Sequence, residues 1–468
     1  MKIFNYIVSA AFGTLALTSC TDLSEKLYDQ VASENYYNTK NDVVRATFRP
    51  FEHAYWSIES RHVLNELTAD QLITPTRDGW WDDGGKWRRY HYHEYNVEDG
   101  GDCQTEWNGC FQGIMQSCKV REDLGTLSFE KFGFSQSEFN NLTAQCRVLR
   151  AWFYLRLLDG FRNVPLVTTT TGASMKQVEP KVIYDFIESE LKTAKEELKD
   201  YKPTTKYRVT SEVASILLSR LYLYEEKWDE CIEASNEAIS NGPQLSNFNS
   251  FNGTDHNVWS VDESSEVVWN YSGRLYGSSY IDGQVLSADA IPYSLDSHIL
   301  ALYDQTNDIR YKKYIQNYGS YAFVMKTSFN SLYDGEHGVR MAEVYLNRAE
   351  AYARKALAGN GSAMAQALAD INKLRRSRYV NGTYTDITDI TSDKLLQLVL
   401  DERQREFVWE DGFRWMDIKR NHLSVTHNFI DDTGNTHTYR LKADDPLYAL
   451  PIPAAAVSRN PNLQQNPR

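Results

Sequence analysis

The sequence predicts a mostly α-helical protein in which pairs of antiparallel helices form a scaffold for a loop-rich, partly irregular ligand-binding face. Three observations carry that expectation. Long segments repeat apolar residues at three- and four-residue intervals, the period of helices with a buried face. Two of these segments are helix pairs with small residues where the partners touch. Two other stretches, about 68–103 and 243–338, are rich in Ser, Asn, Gly, Asp and Tyr or Trp and hold only short apolar runs such as Val267-Val268-Trp269, the pattern of loops and short strands.

The first long helix lies in "NLTAQCRVLRAWFYLRLLDGF". Leu142, Cys146, Leu149, Phe153 and Leu157 form one apolar stripe, and Val148, Trp152 and Leu155 a second, so the helix is buried between neighbours. Gly160 and Pro165 end it, and Leu166-Val167 reads as extended. "VIYDFIESELKTAKEEL" follows with the single stripe Ile183, Ile187, Leu191, Ala194 and Leu198. From Ser211 to Gly242 the sequence reads as two helices joined near Glu225-Glu226-Lys227. Ala214, Ser219, Cys231, Ala234 and Ala238 sit where the two touch, and the unit resembles a tetratricopeptide helix pair, in which small side chains permit close approach. A second pair recurs in "VRMAEVYLNRAEAYARKAL" and "SAMAQALADINKLRRSR". The helical scaffold is therefore expected over about 140–242 and 339–420, with a long mixed stretch between. Long irregular segments inside a compact domain are uncommon and often functional.

The N-terminus, "MKIFNYIVSAAFGTLALTSC", places one lysine before an apolar run from Ile7 to Leu17, too short to span a bilayer and suited to a secretory signal. Leu17-Thr18-Ser19-Cys20 resembles the lipobox of bacterial lipoproteins. That likeness implies removal of residues 1–19, lipidation at Cys20, and a single domain over 20–468 anchored to a membrane through the lipid. The remaining Cys103, Cys110, Cys118, Cys146 and Cys231 match no zinc or redox spacing and read mostly as small core residues; a Cys103–Cys110 disulfide stays open. The net charge of −13, with no basic stripe, argues against a nucleic-acid partner.

Catalytic patterns are weak. Glu402, Glu406 and Glu410 recur every four residues, but Arg403, Arg405 and Arg414 interleave with them, as in i, i+4 pairs that stabilise a helix. Glu66 and Asp70 share helical spacing without further catalytic sign. There is no Gly-x-Ser-x-Gly elbow, His-Glu-x-x-His or phosphate-cradling glycine loop. His91 and His93 flank Tyr92 and in a strand would share one face, but they lack a third ligand, so no metal and no cofactor is expected.

The aromatic stretch "PTRDGWWDDGGKWRRYHYHEYN", Pro75 to Asn96, fits a sugar site. Sugars present apolar C–H faces and hydroxyls, which flat rings and two-pronged polar side chains recognise together. Trp80, Trp81 and Trp87 supply platforms; Arg77, Asp78, Asp82 and Asp83 supply polar partners; Gly79, Gly84 and Gly85 permit tight turns. Trp81 and Trp87 are the favoured platforms, Arg77 and Asp83 the favoured polar partners. Asp70 approaches from the preceding segment, and Tyr276, Tyr280 and Tyr293 are candidates from the second irregular stretch.

Four runs carry a family resemblance: "LRAWFYLRLLDGFRNVPLVTT", "VRMAEVYLNRAEAYA…ALADINKLRRSR", "LVLDERQREFVWEDGFRWMDIKR" and "YALPIPAAAVSRNPNLQQNP". Together they resemble the SusD/RagB family of outer-membrane nutrient-binding lipoproteins of Bacteroidetes, in family order behind a lipobox and over roughly Gln145 to Pro467. The resemblance implies a SusD-like fold on four tetratricopeptide-like helix pairs and a lipid-anchored place on the cell surface. It also implies binding of a nutrient, usually a glycan, and partnership with a SusC-like TonB-dependent transporter that the protein covers as a lid. Family members often use the region after the first helices for the glycan. The tail departs from the family, ending in Gln465-Asn466-Pro467-Arg468 where a glycine and an aromatic residue are usual, and its prolines suit an extended strap. The expected function is non-catalytic capture of oligosaccharides and their delivery to the transporter. The alternatives are a peptide-binding lid of a RagB-like importer, which would rely on backbone partners more than stacked rings, and a structural repeat scaffold for protein partners.

Overall fold

Reciprocal caps written in the sequence fix where two helices begin. Thr39 accepts from Asp42 N at 3.2 Å while the Asp42 carboxylate accepts from Thr39 N at 2.8 Å, starting α1 (Lys40–Ala46). Helices α2 (Arg49–Trp56) and α3 (Ile58–Thr68), strand β1 (Leu72–Ile73), the short helix α4 (Lys86–His91) and α5 (Asp102–Gly125) follow. Ser135 and Glu138 repeat the reciprocal cap at the start of α6 (Gln136–Phe161), whose second half is buried on every side, as its two apolar stripes require. The computed structural model describes residues 36–468 except 57, 75–83, 96, 98–100, 172–174, 252–257, 260–265, 272–292, 319–320, 325, 327–337, 411, 431–432 and 434. The expected signal segment and Cys20 therefore lie outside the described residues.

After β2 (Val164–Pro165) and β3 (Gln177–Val178), α7 (Pro180–Glu197) buries Ile183, Ile187, Leu191 and Ala194. The expected pair is α8 (Ser211–Tyr224) and α9 (Trp228–Asn241), turning at residues 225–227. The irregular stretch then contributes β4 (Val267–Asn270), β5 (Ser294–Leu295), α10 (Ser297–Leu300), α11 (Ile309–Tyr314), β6 (Ile315–Tyr318), β7 (Tyr321–Val324) and β8 (Gly338–Arg340). Helices return as α12 (Met341–Leu357), α13 (Gly361–Arg378), α14 (Ser392–Phe407) and α15 (Phe413–Arg420). A hairpin of β9 (Val425–Ile430) and β10 (Thr436–Leu441) and the short α16 (Ala454–Arg459) complete the chain. All described sheets are two-stranded and antiparallel: β1–β5, β2–β3, β4–β8, β6–β7 and β9–β10.

Helices α5 to α9 pack successively, and α9 then packs directly on α12, which pairs with α13 and α14. The insertion at 242–340 thus leaves and rejoins the array without interrupting it. At that junction Cys231, 0% exposed, donates its thiol to Asn347 O at 3.7 Å, so a small residue does sit at the helix contact. The five described cysteines are all buried. Cys103 and Cys110 lie two turns apart on α5, about 10 Å at 1.5 Å per residue, beyond disulfide reach. The scaffold also begins earlier than the expected residue 140. The buried face of α5 includes Glu106, Gly109, Gly113 and Ser117, so its sequence hides the apolar period. The tail is a strap, with one helical turn and a half in α16, and its end is pinned: Asn466 donates to Phe161 O and Leu450 O, and Arg468 to His93 O.

Glu402, Glu406 and Glu410 are not the local helix pairs their spacing predicts. Only Glu402 keeps a near neighbour, Arg405, at 2.6 Å. Glu406, 1% exposed, accepts from Arg340 at 2.5 Å, Arg378 at 2.8 Å and Arg310 at 2.7 Å. Arg340 and Arg378 both reach Glu266, at 2.8 and 3.0 Å, and Arg340 and Lys326 reach Glu410, at 2.8 and 2.5 Å. Burial raises the Glu406 pKa, but the three guanidiniums outweigh it and hold the carboxyl well below its usual range.

Two substitutions test these contacts. Glu406→Gln leaves buried guanidiniums uncompensated and is expected to destabilise by about 3–5 kcal/mol in denaturant titration. Gly113→Ala places a Cβ 2.2 Å from the Phe153 ring between α5 and α6, and is expected to cost about 1–3 kcal/mol in the same measurement.

Candidate functional site

The two loop-rich stretches meet at their described ends. β1 lies just before residues 75–83 and β5 just after residues 272–292, and the two strands pair, Leu72 with Leu295 and Ile73 with Ser294. β7 lies against β5, where Ser294 Oγ accepts from Ala322 N at 3.0 Å. Gly84 and Gly85 have φ of 64° and 86°, left-handed values that a side chain would strain, and they turn the chain into α4. That turn drives Trp87 inward.

Beneath these anchors stands a column of rings. Trp87 lies 6.3 Å from Tyr293, Tyr293 stacks on Trp409 at 4.6 Å and 17°, and Trp409 meets His62 edge-on at 4.7 Å. Trp409 holds φ at 65°, a strained value for so bulky a residue. Its neighbour Glu410 belongs to the ionic network, which fixes the column's base. Beside it Glu66 is pushed up to about 8, chiefly by burial and also by Glu410.

A second cluster sits where α4 ends. His91 Nδ1 lies 2.6 Å from Leu67 O, His93 Nε2 lies 3.2 Å from His427 Nε2, and the His91 and His427 rings stack at 4.6 Å. His91 and His93 are not on a strand: one ends the helix and the other takes φ 55° in the turn after it. Burial lowers His91 to about 4 and His93 to about 3, and drives His427 well below its ordinary value. The three rings are therefore neutral packing groups at neutral pH, and among the described residues no group of three or more ligands is arranged for a metal.

Two parts of the chain match two SusD-type families. Residues 304–468 match the SusD family, and residues 53–223 match a SusD-like family described as starch-binding and associating with the outer membrane. The chain belongs to the SusD family. Solved structures share the SusD fold. A SusD superfamily protein from Bacteroides thetaiotaomicron is similar at 22% identity and TM-score 0.74, over 92% of this chain and 100% of that one. A putative sugar binding protein from Bacteroides vulgatus is similar at 20% identity and TM-score 0.74, over 92% and 99%. A SusD-like carbohydrate binding protein from the same species is similar at 18% identity and TM-score 0.70, over 91% and 98%. No curated protein matches this chain.

In this SusD-family chain the residues singled out from sequence divide into two groups. Trp80, Trp81, Arg77, Asp78, Asp82, Asp83, Tyr276 and Tyr280 lie outside the described residues. The other three are not free to meet a ligand. Trp87 is 2% exposed and Tyr293 0%, so both form the floor and not the stacking surface expected of them. Asp70 is claimed by Arg414 through two hydrogen bonds of 2.8 and 2.6 Å, which outweigh burial and hold its pKa below the ordinary value. Trp409 and His427 were not legible as parts of this region. A tryptophan in left-handed conformation runs against its propensity, and His427 lies 334 residues from His93.

The histidine cluster sets a pH dependence. Each ring's folded pKa lies below its unfolded value of 6.5, so unfolding takes up protons and stability falls as pH drops from 6.5 toward 4, by up to ~1.4 kcal/mol per unit per histidine. Glu66 acts oppositely between 4.5 and about 8, because its folded pKa is raised. Three groups against one predict a net fall in Tm between pH 6.5 and 4.5, and His427→Phe is expected to make that slope shallower in thermal melts.

Proposed function

We propose that this chain is a non-catalytic, lipid-anchored protein of the outer cell surface that captures oligosaccharides and passes them to a SusC-like TonB-dependent transporter. The observation that carries the reading is the meeting of both loop-rich stretches at one rigid floor, through β1–β5 and the Trp87–Tyr293–Trp409 column. A floor of this kind fixes where the intervening segments begin and end, while the aromatic and polar residues of those segments make the contacts. Trp80 and Trp81 are the proposed stacking platforms, with Arg77, Asp78 and Asp83 as hydrogen-bonding partners and Tyr276 and Tyr280 from the second stretch. Trp87 and Tyr293 supply the buried floor at the described ends of those segments, and Asp70, just ahead of β1, is held by Arg414.

The lipobox-like Cys20 supports the anchor, and the starch-binding description of the family matching residues 53–223 supports a glycan ligand. The carboxylates with helical spacing support the absence of catalysis, because Glu402 and Glu406 are 0% and 1% exposed and spent on guanidiniums.

Titration of the soluble protein, residues 21–468, with a panel of oligosaccharides should quench or shift tryptophan fluorescence. Trp80→Ala and Trp81→Ala are expected to weaken binding about tenfold each, roughly 1.4 kcal/mol, with Tm unchanged. Trp87→Ala should instead lower stability by about 3–5 kcal/mol, because it empties a core position. Silence toward every glycan, or micromolar binding of a peptide library in its place, overturns the reading.

A further inference from the structure

A cavity of about 560 Å³ opens where the C-terminal ends of α6, α8 and α15 converge with the segment after β10. Its volume lies in the range of small-molecule sites. Six described residues other than glycine have positive φ, and four of them line this cavity: Arg162 at 66°, Glu226 at 58°, His422 at 53° and Asp444 at 60°. Of the six, His93 and Trp409 are used in the histidine cluster and the ring column, and His422 Nδ1 lies 2.6 Å from Asp444 Oδ1, which leaves Arg162 and Glu226.

The backbone shows why this is unusual. Lys227 N bonds Tyr222 O at 2.9 Å and Glu226 N bonds Leu223 O at 3.3 Å; Leu423 N bonds Ile418 O at 2.9 Å and His422 N bonds Lys419 O at 3.2 Å. These are Schellman ends of α8 and α15, whose left-handed position is usually glycine. Glu226 and His422 occupy it instead, at a steric penalty, and both side chains border the cavity. Among the described residues neither Arg162 nor Glu226 has an ion-pair partner. The hydroxyls of Tyr184 and Tyr224, also in the wall, make no hydrogen bond to another described residue.

The lining chemistry selects a ligand class. Three helix C-termini and the carboxylates of Glu225, Glu226, Asp444 and Asp445 disfavour an anion. Lys419, which donates to Asp159 O and is lowered by burial to about 8, and Arg162 already supply cationic groups. What remains are acceptors, a guanidinium and tyrosine faces, a set that suits a neutral, hydroxyl-rich ring.

We infer that this cavity is a second saccharide site, sized for one or two sugar rings and separate from the aromatic-loop site. The inference rests on the reading that the ligands of this protein are glycans. Tyr184 and Tyr224 supply ring faces and hydroxyls, Arg162 donates, and Glu226 accepts from sugar hydroxyls.

The test uses the full chain and calorimetric titration with methyl glucoside, methyl galactoside, methyl mannoside, maltose and cellobiose. The expected result is two classes of site. Glu226→Gly relieves the left-handed strain, so Tm rises by about 1–2 °C while the second class weakens at least tenfold. Tyr224→Phe weakens the same class without loss of Tm, and Trp81→Ala affects only the first. If sugar binds in one class that only Trp81→Ala removes, the second site is wrong and the glycan reading stands. If Glu226→Gly and Tyr224→Phe leave every isotherm unchanged, the second site is likewise wrong. If none of the probes, and no longer oligosaccharide, binds the unaltered chain, both readings fall.

Discussion

One buried carboxylate decides how the parts of this chain meet. Glu406, on α14, is gripped by Arg340 from the end of β8, Arg378 from the end of α13 and Arg310 from α11. Removing such charges from water is expensive, and the expense is recovered only when every partner is present with good geometry. A guanidinium fork donates to a carboxylate in a narrow set of planes and registers, whereas an apolar contact tolerates sliding. The arrangement therefore ties the inserted strands to the helical array in one register. Glu266, just ahead of β4, closes the circuit by accepting from both Arg340 and Arg378.

The same device recurs where other elements cross. Glu350 and Asp417 share Arg420, which holds α12 to α15, and Arg403 joins them from α14. Glu106 on α5 accepts from Arg156 on α6, while Arg61 on α3 bonds Asp159 at 2.8 Å. These clusters lie inside the molecule, so ionic strength screens them far less than surface pairs. The ring column inherits their rigidity. Trp409 is flanked by Val408 and Glu410, and Lys326 binds both Glu410 and the carbonyl of Glu406. The floor of the candidate site is thus an extension of the charge network and not a separate packing unit.

What sequence alone could read follows from which interactions are local. The α8–α9 pair was legible because its evidence is short-range: small residues at helical spacing and a turn of three residues. The stripe of α7 and the two-faced burial of α6 were legible for the same reason. The role of Glu406 was not, since its i, i+4 arginine neighbours suggested local pairs and its true partners come from distant elements. Trp87 was misread because flanking charges and glycines argued for exposure, yet two left-handed glycines turn it into the core. The pairing of β1 with β5 was invisible at two residues per strand. The ring-rich composition of the two stretches was legible, and only the fold shows that their described ends share a foundation.

That foundation bears on how such a chain accommodates its irregular half. Closing a flexible loop costs entropy that grows only with the logarithm of its length, so once the ends are fixed, added residues are cheap. Here the ends are fixed twice: by the β1–β5 pairing and by rings buried immediately beside the irregular segments, Trp87 after one and Tyr293 after the other. The buried rings at the junction, Trp87 and Tyr293, are therefore the points where the packed core constrains the ends of both irregular segments.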